Sequence, residues 1–424
     1  MSTLPFSTHR QSLTRSVAAS GAAVAGIMAV AHVANDAMTS MLSGLLPSLQ
    51  VRLGLSEAVL AMLVATLAFS SSVTQPLFGA LSDRFGARRV AAAGTAFGVS
   101  MMSLMTVAPG PVALFALLLV GGLGSAAFHP AGTSVVGAAP LTRRELAVGL
   151  FSAGGTLGLA LGPLLVLGVA ATVGLGFTPW LVVPAVVLGA AMFVLVPDQA
   201  RTERRERTPI LDRSLLLGPV GGLSLAAMLG SVPFVSFSAG FPLLLVQVRG
   251  IDPTDPLLGL VLAVFNGAAA VGAVAAAAMG SRIPAGVLVP VTFVAGVVPL
   301  AGLLLLPLSA VGILALAALA GALLNAGLPA MLVRAHDLAP HRRAAASGML
   351  MGLPMGLAGI AYIGVGWLQE TVGVVPALGV AFAMALPAAI VAAVVLRRTA
   401  GADVVGATAA SAGPLTGCRC SAVG

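Results

Sequence analysis

The 424-residue sequence contains no lysine, and charged residues amount to only 8% of the chain. Soluble domains carry about 25% charged residues. The scarcity of charge therefore excludes a water-soluble enzyme and a disordered protein. Two cysteines are too few for a disulfide scaffold. A single residue separates Cys418 from Cys420, so a bond between them would be strained.

Hydrophobic residues make up 58% of the chain and fall into long runs. A helix that crosses a bilayer needs about 20 mostly apolar residues. The runs are too long for barrel strands and lack a two-residue alternation. We therefore predict an all-α integral membrane protein with twelve transmembrane helices. The twelve runs are 20–49, 58–82, 90–107, 112–139, 146–173, 180–196, 215–246, 257–279, 285–306, 311–338, 344–368 and 374–396.

The basic residues are all arginine, and a net charge of +8 would point to nucleic acid in a soluble protein. In a membrane protein, positively charged residues instead collect in cytoplasmic loops. With the N-terminus inside, 19 of the 21 arginines fall on the cytoplasmic side, and Arg52 and Arg249 are the two on the outside. This distribution predicts a multi-pass protein of the inner (cytoplasmic) membrane with both termini in the cytoplasm and no nucleic-acid partner.

An internal repeat divides the twelve segments into two sets of six. Residues 50–52, Gln-Val-Arg, recur 197 positions later as residues 247–249, and Arg143-Arg144 recurs as Arg342-Arg343. Two parallel six-helix repeats are typical of alternating-access transporters, in which the binding site lies between the repeats near the midplane. The predicted divisions are a first bundle over 1–196, a cytoplasmic loop over 197–214, a second bundle over 215–398 and a disordered tail over 399–424.

The loop after the second segment, residues 79–89, reads GALSDRFGARR. It resembles the signature loop of the major facilitator superfamily of transporters at every defining position. The resemblance implies the major facilitator fold and a gate on the cytoplasmic side; the alternative is that these arginines only set the topology. The predicted gate residues are Gly79, Asp83, Arg84, Gly86, Arg88 and Arg89.

The fifth segment carries Gly149, Gly158, Gly162 and Pro163. Glycine lets helices approach closely, and proline bends a helix. The spacing resembles the motif of the superfamily's drug–proton antiporters, as distinct from its symporters. General packing of small residues is the alternative explanation.

A finer resemblance comes from the first, fourth and fifth segments. They carry His32-x-x-Asn35-Asp36, Phe128-His129-Pro130, and Phe151 before a glycine pair at 154–155. Together these resemble the fosmidomycin-resistance branch of the superfamily, which comprises efflux antiporters. This branch often has glutamate after the His-Pro pair, where the present sequence has Ala131.

Asp36 stands near the middle of the first segment, where an ionisable side chain costs about 2.5–3.5 kcal/mol or more. His32 precedes it by four residues, so the two share a helix face, and His129 is predicted at the same depth as His32. We interpret Asp36 as the main proton carrier, with His32 or His129 assisting. The alternative is a hydrogen-bonded cluster that only holds the first helix. A metal site is disfavoured, because the sequence reveals nothing to orient the ligands from behind.

Three membrane asparagines are candidates for the substrate cavity, although each could equally serve helix packing: Asn35, Asn266 and Asn325. No arginine is predicted near the midplane. The sequence therefore favours proton-coupled efflux of a small drug-like or metabolite compound by a monomer without a cofactor. Its expected partners are that small molecule, protons and the lipid bilayer. A proton-coupled importer is the main alternative. An intramembrane enzyme is a weaker one, since no positioned nucleophile or cofactor motif is found.

Overall fold

Each predicted segment forms a helix in the computed structural model, which describes residues 21–138, 144–197, 213–279, 282–340 and 342–411. Within these residues, twelve helices are long and apolar enough to cross a membrane, with mean hydropathy of 1.2 to 2.5 over their best windows. No strand occurs in the described ranges. Helices suit the bilayer because they satisfy every backbone hydrogen bond internally. The prediction of an all-α protein with twelve transmembrane helices is confirmed.

The twelve helices form two halves of six. The first half contains α1 (Gly21–Leu53), α2 (Glu57–Ala68 and Gln75–Phe85, joined by the π-helical turn Phe69–Val73), α3 (Ala87–Ser103, followed by the 3-10 turn Met105–Val107), α4 (Pro111–Ala138), α5 (Arg144–Val173) and α6 (Val182–Leu195, preceded by the 3-10 turn Leu175–Leu181). After a short helix, Arg213–Leu217, the second half contains α7 (Pro219–Gln247), α8 (Pro256–Met279), α9 (Ala285–Leu305), α10 (Ala310–Ala326 and Leu328–Leu338), α11 (Arg343–Val372) and α12 (Val374–Ala383 and Ala385–Ser411).

Three helices depart from regular geometry. In α2 the π-helical turn widens the helix, and the Ser70 hydroxyl donates to the carbonyls of Leu67 and Leu118. In α10 the chain breaks at Gly327, where glycine and the following Leu328-Pro329 disfavour a continuous helix. The last helix continues to Ser411, although the sequence suggested a disordered tail from residue 399. Residues 412–424, with both cysteines, lie outside the described residues.

Small residues bring helix backbones together inside each half. On α3 and α4, a β-carbon added at Gly124 would stand 2.6 Å from the backbone nitrogen of Gly98. In the second half, Gly272 of α8 meets the backbone of Ala322 of α10 just as closely. Close approach through small residues is how membrane helices pack when both partners are apolar.

The halves meet along α2 with α11, α5 with α8, and α1 with α7. The alternating direction of the helices defines two ends of the molecule. The end that holds the turn between α2 and α3, at Gly86, is called the arginine face. The end that holds the last turns of α1 and α7, at Gln50 and Gln247, is called the glutamine face.

Candidate functional site

A cavity of about 530 Å³ lies between the two halves, about midway along the helices that line it. The first half lines it with a histidine–aspartate cluster and with hydroxyl groups such as those of Thr39, Ser71 and Thr156. The second half contributes Asn266, Ser238 and a mainly apolar wall of Phe234, Val235, Leu262, Met351 and Met355. No arginine is among the described residues that line it.

The cluster consists of Asp36 between two histidines and is called the triad. The Nε2 atom of His32 lies 3.3 Å from Oδ2 of Asp36, and Nε2 of His129 lies 3.1 Å from Oδ1. The two imidazole rings are 5.0 Å apart between centroids. Each carboxylate oxygen of Asp36 thus faces one imidazole.

Backbone carbonyls fix both imidazoles from behind. Nδ1 of His32 lies 2.8 Å from the carbonyl oxygen of Phe151, and Nδ1 of His129 lies 2.8 Å from that of Ser125. A carbonyl oxygen can only accept, so both Nδ1 atoms carry a hydrogen. The proton that each ring gains or loses is therefore the one on Nε2, directly against Asp36.

Burial differs between the two histidines. The His32 side chain is 10% exposed and packs against the rings of Phe128 and Phe151, whereas the His129 side chain is 25% exposed and packs against Phe128. Both line the cavity with Asp36, and His129 is the more exposed of the two.

The triad depends on a glycine of α5. A β-carbon added at Gly155 would stand 2.5 Å from Nε2 of His32 and 2.8 Å from Oδ2 of Asp36. The Phe151 carbonyl that holds His32 lies one turn earlier on α5. Phe151 and the glycine pair were singled out in the sequence only through family resemblance, because their contact with the triad depends on how α1 crosses α5.

The three candidate asparagines have separate surroundings. Asn35 lies behind the triad, where its amide donates to Ser125 Oγ at 2.9 Å and Asp36 Oδ1 at 3.3 Å. Asn266 lines the cavity and donates to the carbonyls of Leu262 and Leu159, the latter across the two halves. The Asn325 amide donates to the carbonyl of Ala269 within the second half. The cavity lining includes neither Asn35 nor Asn325, contrary to expectation, because their amides are directed into helix contacts.

The predicted gate residues lie on the last segment of α2 (Gln75–Phe85), at the α2–α3 turn and on the first turn of α3. Gly86 has a φ of +96°, a backbone conformation that favours glycine. Arg84 lies over the ring of Phe85, and Arg88 donates to the carbonyl of Val196 at 3.2 Å and lies over the ring of Phe193.

These described arginine contacts stay within the first half. The exposed Arg89 is also on α3. The Asp83 side chain is outside the described residues. A methyl group at Gly79 would meet Pro130 at an ordinary 3.7 Å, so close packing does not explain the glycine there. A gating role for this loop stays a prediction.

The antiporter-like glycines of α5 face the helix that carries Asp36. A β-carbon at Gly158 would stand 2.5 Å from the Val33 carbonyl, and one at Gly162 would collide with the Ala37 carbonyl. Pro163 lies where α1, α5 and α8 cross, since Gly259 of α8 packs on its carbonyl. Of Gly149, the structure describes only its place in α5.

The three triad side chains each offer an atom that can bind a metal, and these atoms lie within 4.8 Å of one another. The sequence shows no group that would orient the two histidines. In the structure, the carbonyl oxygens of Phe151 and Ser125 orient them through their Nδ1 atoms. The Nε2–oxygen distances of 3.1 and 3.3 Å are compatible with hydrogen bonds, so each imidazole can exchange a proton with the Asp36 carboxylate.

Comparisons with known proteins agree with this architecture. The chain is 28% identical over 349 residues to the Fosmidomycin resistance protein of Escherichia coli (strain K12), covering 80% of this chain and 84% of that protein. A peptide transporter crystallised with sulfate superposes with a TM-score of 0.69 at 17% identity, covering 92% of this chain and 99% of the other. The nucleoside transporter NupG also gives 0.69, at 14% identity, with 88% and 98% covered.

The family model described as Major Facilitator Superfamily matches residues 28–362, which span the triad, the α2–α3 turn and most of the second half. The family and the fold are those of membrane transporters rather than enzymes. The chain belongs to the Major Facilitator Superfamily and is a multi-pass membrane transporter of a small molecule.

Proposed function

We propose that the protein exports a small drug-like or metabolite compound in exchange for protons. The observation that carries the proposal is the triad, in which one buried carboxylate meets two imidazoles at 3.1 and 3.3 Å on the wall of the cavity. Similarity to a fosmidomycin resistance protein over most of the chain supports efflux.

Proton exchange follows from the hydrogen positions in the triad. With both imidazoles charged, each Nε2–H donates to a carboxylate oxygen of Asp36. Loss of one proton places a nitrogen lone pair against a carboxylate oxygen, which is repulsive. The cluster then relaxes by a change of contact or of cavity shape. Histidine suits this exchange because its charge changes between about pH 5 and 8.

The cavity surroundings accord with a modest-sized, partly apolar substrate. Its volume of about 530 Å³ lies within the usual range for small-molecule sites. Polar groups lie mostly on the first half and apolar groups on the second. In this proposal the arginine face is cytoplasmic, both termini lie in the cytoplasm, and a monomer works in the inner membrane.

Reconstituted vesicles test the proposal with fosmidomycin as the probe. The vesicles hold an imposed pH gradient, acidic on the side of the glutamine face. Addition of fosmidomycin should dissipate the gradient with the native protein and not with Asp36→Asn. Asp252→Asn, in the exposed loop after α7, serves as the matched control. Uptake of the probe together with protons would instead establish the importer. Unchanged exchange in Asp36→Asn would refute the role of the triad.

A second assay distinguishes a wrong choice of substrate from a wrong mechanism. If fosmidomycin is inert, a panel of antibiotics on a host that lacks its own efflux pumps, with and without this protein, identifies another probe. The vesicle measurement is then repeated with that compound. A protein that protects the host but leaves the pH gradient intact is an exporter without proton exchange.

A further inference from the structure

The glutamine face holds a group of hydrogen bonds that crosses between the two halves. The Gln247 amide of α7 donates to Gln50 Oε1 at 3.1 Å and to Glu57 Oε1 at 3.0 Å. Gln50 itself donates to the same Glu57 oxygen at 3.2 Å. Gln50 and Gln247, which occupy equivalent positions in the two repeats, therefore both donate to the Glu57 carboxylate at the start of α2.

A second carboxylate crosses between the halves at the same end. Glu370, near the end of α11, accepts a hydrogen bond from the backbone N–H of Ala58 at 2.9 Å. It also accepts one from the Ser56 hydroxyl, the residue that caps α2. The first turn of α2 thus receives a carboxylate from the opposite half, where the helix dipole favours negative charge.

The donors to both carboxylates are uncharged. The two arginines of this face donate elsewhere, Arg52 to the carbonyl of Ala108 at 3.1 Å and Arg249 to that of Leu306 at 2.7 Å. Asp252 accepts a hydrogen bond from Thr254 within the loop before α8, and Asp255 accepts one from the backbone N–H of Leu257 in the first turn of α8. Tyr362 of α11 is buried and receives a hydrogen bond from Gln369.

We propose that Glu57 and Glu370 form an acid-sensitive latch that holds the glutamine face closed between the two halves and releases it on protonation. Hydrogen bonds to a charged carboxylate are about twice as strong as those to a neutral acceptor. Protonation of either residue therefore weakens contacts that exist only while this face is closed. The Ser48 hydroxyl bond to the Pro253 carbonyl at 2.8 Å also joins the halves, but it does not titrate.

The direction of the pH dependence follows from the hydrogen bonds that the two carboxylates accept in the closed face. A carboxylate stabilises the closed face only when it is ionised, so closure is favoured at neutral pH. It is lost once the medium is acidic enough to protonate the two carboxylates. An acidic medium at this face would thus bias the transporter to open towards that medium. This inference is independent of the substrate and of the triad.

Distance measurements between spin labels test the latch in the full-length protein in lipid nanodiscs. Val51 and Val248 are exposed ends of α1 and α7, and cysteines there report the gap between the halves. Cys418 and Cys420 are replaced by serine. Cysteines at Val51 and Val112, both in the first half and exposed at this face, form the reference pair, which also monitors folding.

For the native latch we expect a short Val51–Val248 distance at pH 7.5 and a longer one that becomes more populated at pH 3.5. The ratio of the long to the short population should rise several-fold, because the closed face loses its preference as both carboxylates take up protons. Glu57→Gln with Glu370→Gln mimics protonation and should give the longer distance at both pH values. Gln247→Lys, which places an ammonium against Glu57, should keep the short distance to lower pH.

Two results would overturn the latch. One is a native distance that does not change with pH. The other is a pH response that persists in the double glutamine variant, which would assign the response to other groups. The reference distance should stay constant throughout, and transport of fosmidomycin need not be detected for either result to count.

Discussion

Gly155 of α5 faces His32 of α1 so closely that a β-carbon at residue 155 would stand 2.5 Å from the histidine Nε2 atom. Real β-carbons do not approach other atoms to that distance. The same added carbon would stand 2.8 Å from Asp36 Oδ2. The absence of a side chain at one position of α5 therefore permits the contact between Asp36 and His32.

Gly155→Ala should separate His32 from Asp36 and reduce proton-coupled exchange by about 5- to 150-fold, as expected when a buried charge-assisted hydrogen bond of about 1–3 kcal/mol is lost. Gly168→Ala is the matched control on the same helix, because nothing lies within 4 Å of its added carbon. Exchange is measured in vesicles with equal amounts of protein. Native rates in Gly155→Ala would show that the two side chains need not touch.

The two histidines should respond differently to replacement by glutamine. His32 packs against two phenylalanine rings, at 4.2 Å from Phe151 and 5.5 Å from Phe128 between centroids. We therefore expect His32→Gln to lower both exchange and the melting temperature in detergent. A loss of about 1 kcal/mol would lower the melting temperature by no more than roughly 2 °C, because the shift per kcal/mol falls as the chain becomes longer.

His129→Gln, at the more exposed site, should abolish exchange with a melting temperature close to that of the native protein. Equal melting temperatures for His32→Gln and His129→Gln would contradict the difference in packing. Retained exchange in His129→Gln would instead exclude this histidine from the proton path.

Gly124→Ala should destabilise the contact of α3 with α4. The added carbon would stand 2.6 Å from the Gly98 nitrogen and 2.8 Å from the Gly94 carbonyl oxygen. Backbone atoms cannot rotate away, so we expect a loss of about 1–3 kcal/mol. Thermal melting in detergent measures the loss. Gly364→Ala of α11, whose added carbon has nothing within 4 Å, should melt like the native protein.

Met351→Ala should alter substrate affinity without altering the pH dependence of exchange. Met351 lines the cavity from the second half, away from the triad, and its truncation removes apolar contact at about 25 cal/mol per Å². With fosmidomycin as the probe, KM should rise and the pH profile should keep its midpoint. A shifted midpoint of the pH profile would mean that the apolar wall of the second half influences the protonation of the triad.

The sequence predicted the helices well, because twenty-residue apolar runs have one stable form in a bilayer. The predicted run 257–279 corresponds to α8 at Pro256–Met279. The π-helical turn Phe69–Val73 was not predicted. Within it the Ser70 hydroxyl donates to the Leu118 carbonyl of α4, a contact that no local pattern in α2 specifies.

The site was only partly accessible from the sequence. The spacing of His32 and Asp36 places both on one helix face whatever surrounds them, and helix directions placed His129 near them. The carbonyl of Phe151 could not be derived in this way, since a backbone atom has no sequence signature. The amides of Asn35 and Asn325 lie outside the cavity lining because neighbouring helices supply acceptors that the sequence does not reveal.

The triad, the carbonyls that hold it, Asn35 and Gly155 all belong to α1, α4 and α5 in the first half. The opposite wall, with Phe234 and Met351, belongs to the second half and is mainly apolar. The ionisable groups and the apolar wall therefore lie on separate halves of the chain. Under the proposed function, substitutions in the apolar wall after residue 219 could change the transported compound while the ionisable cluster stays the same.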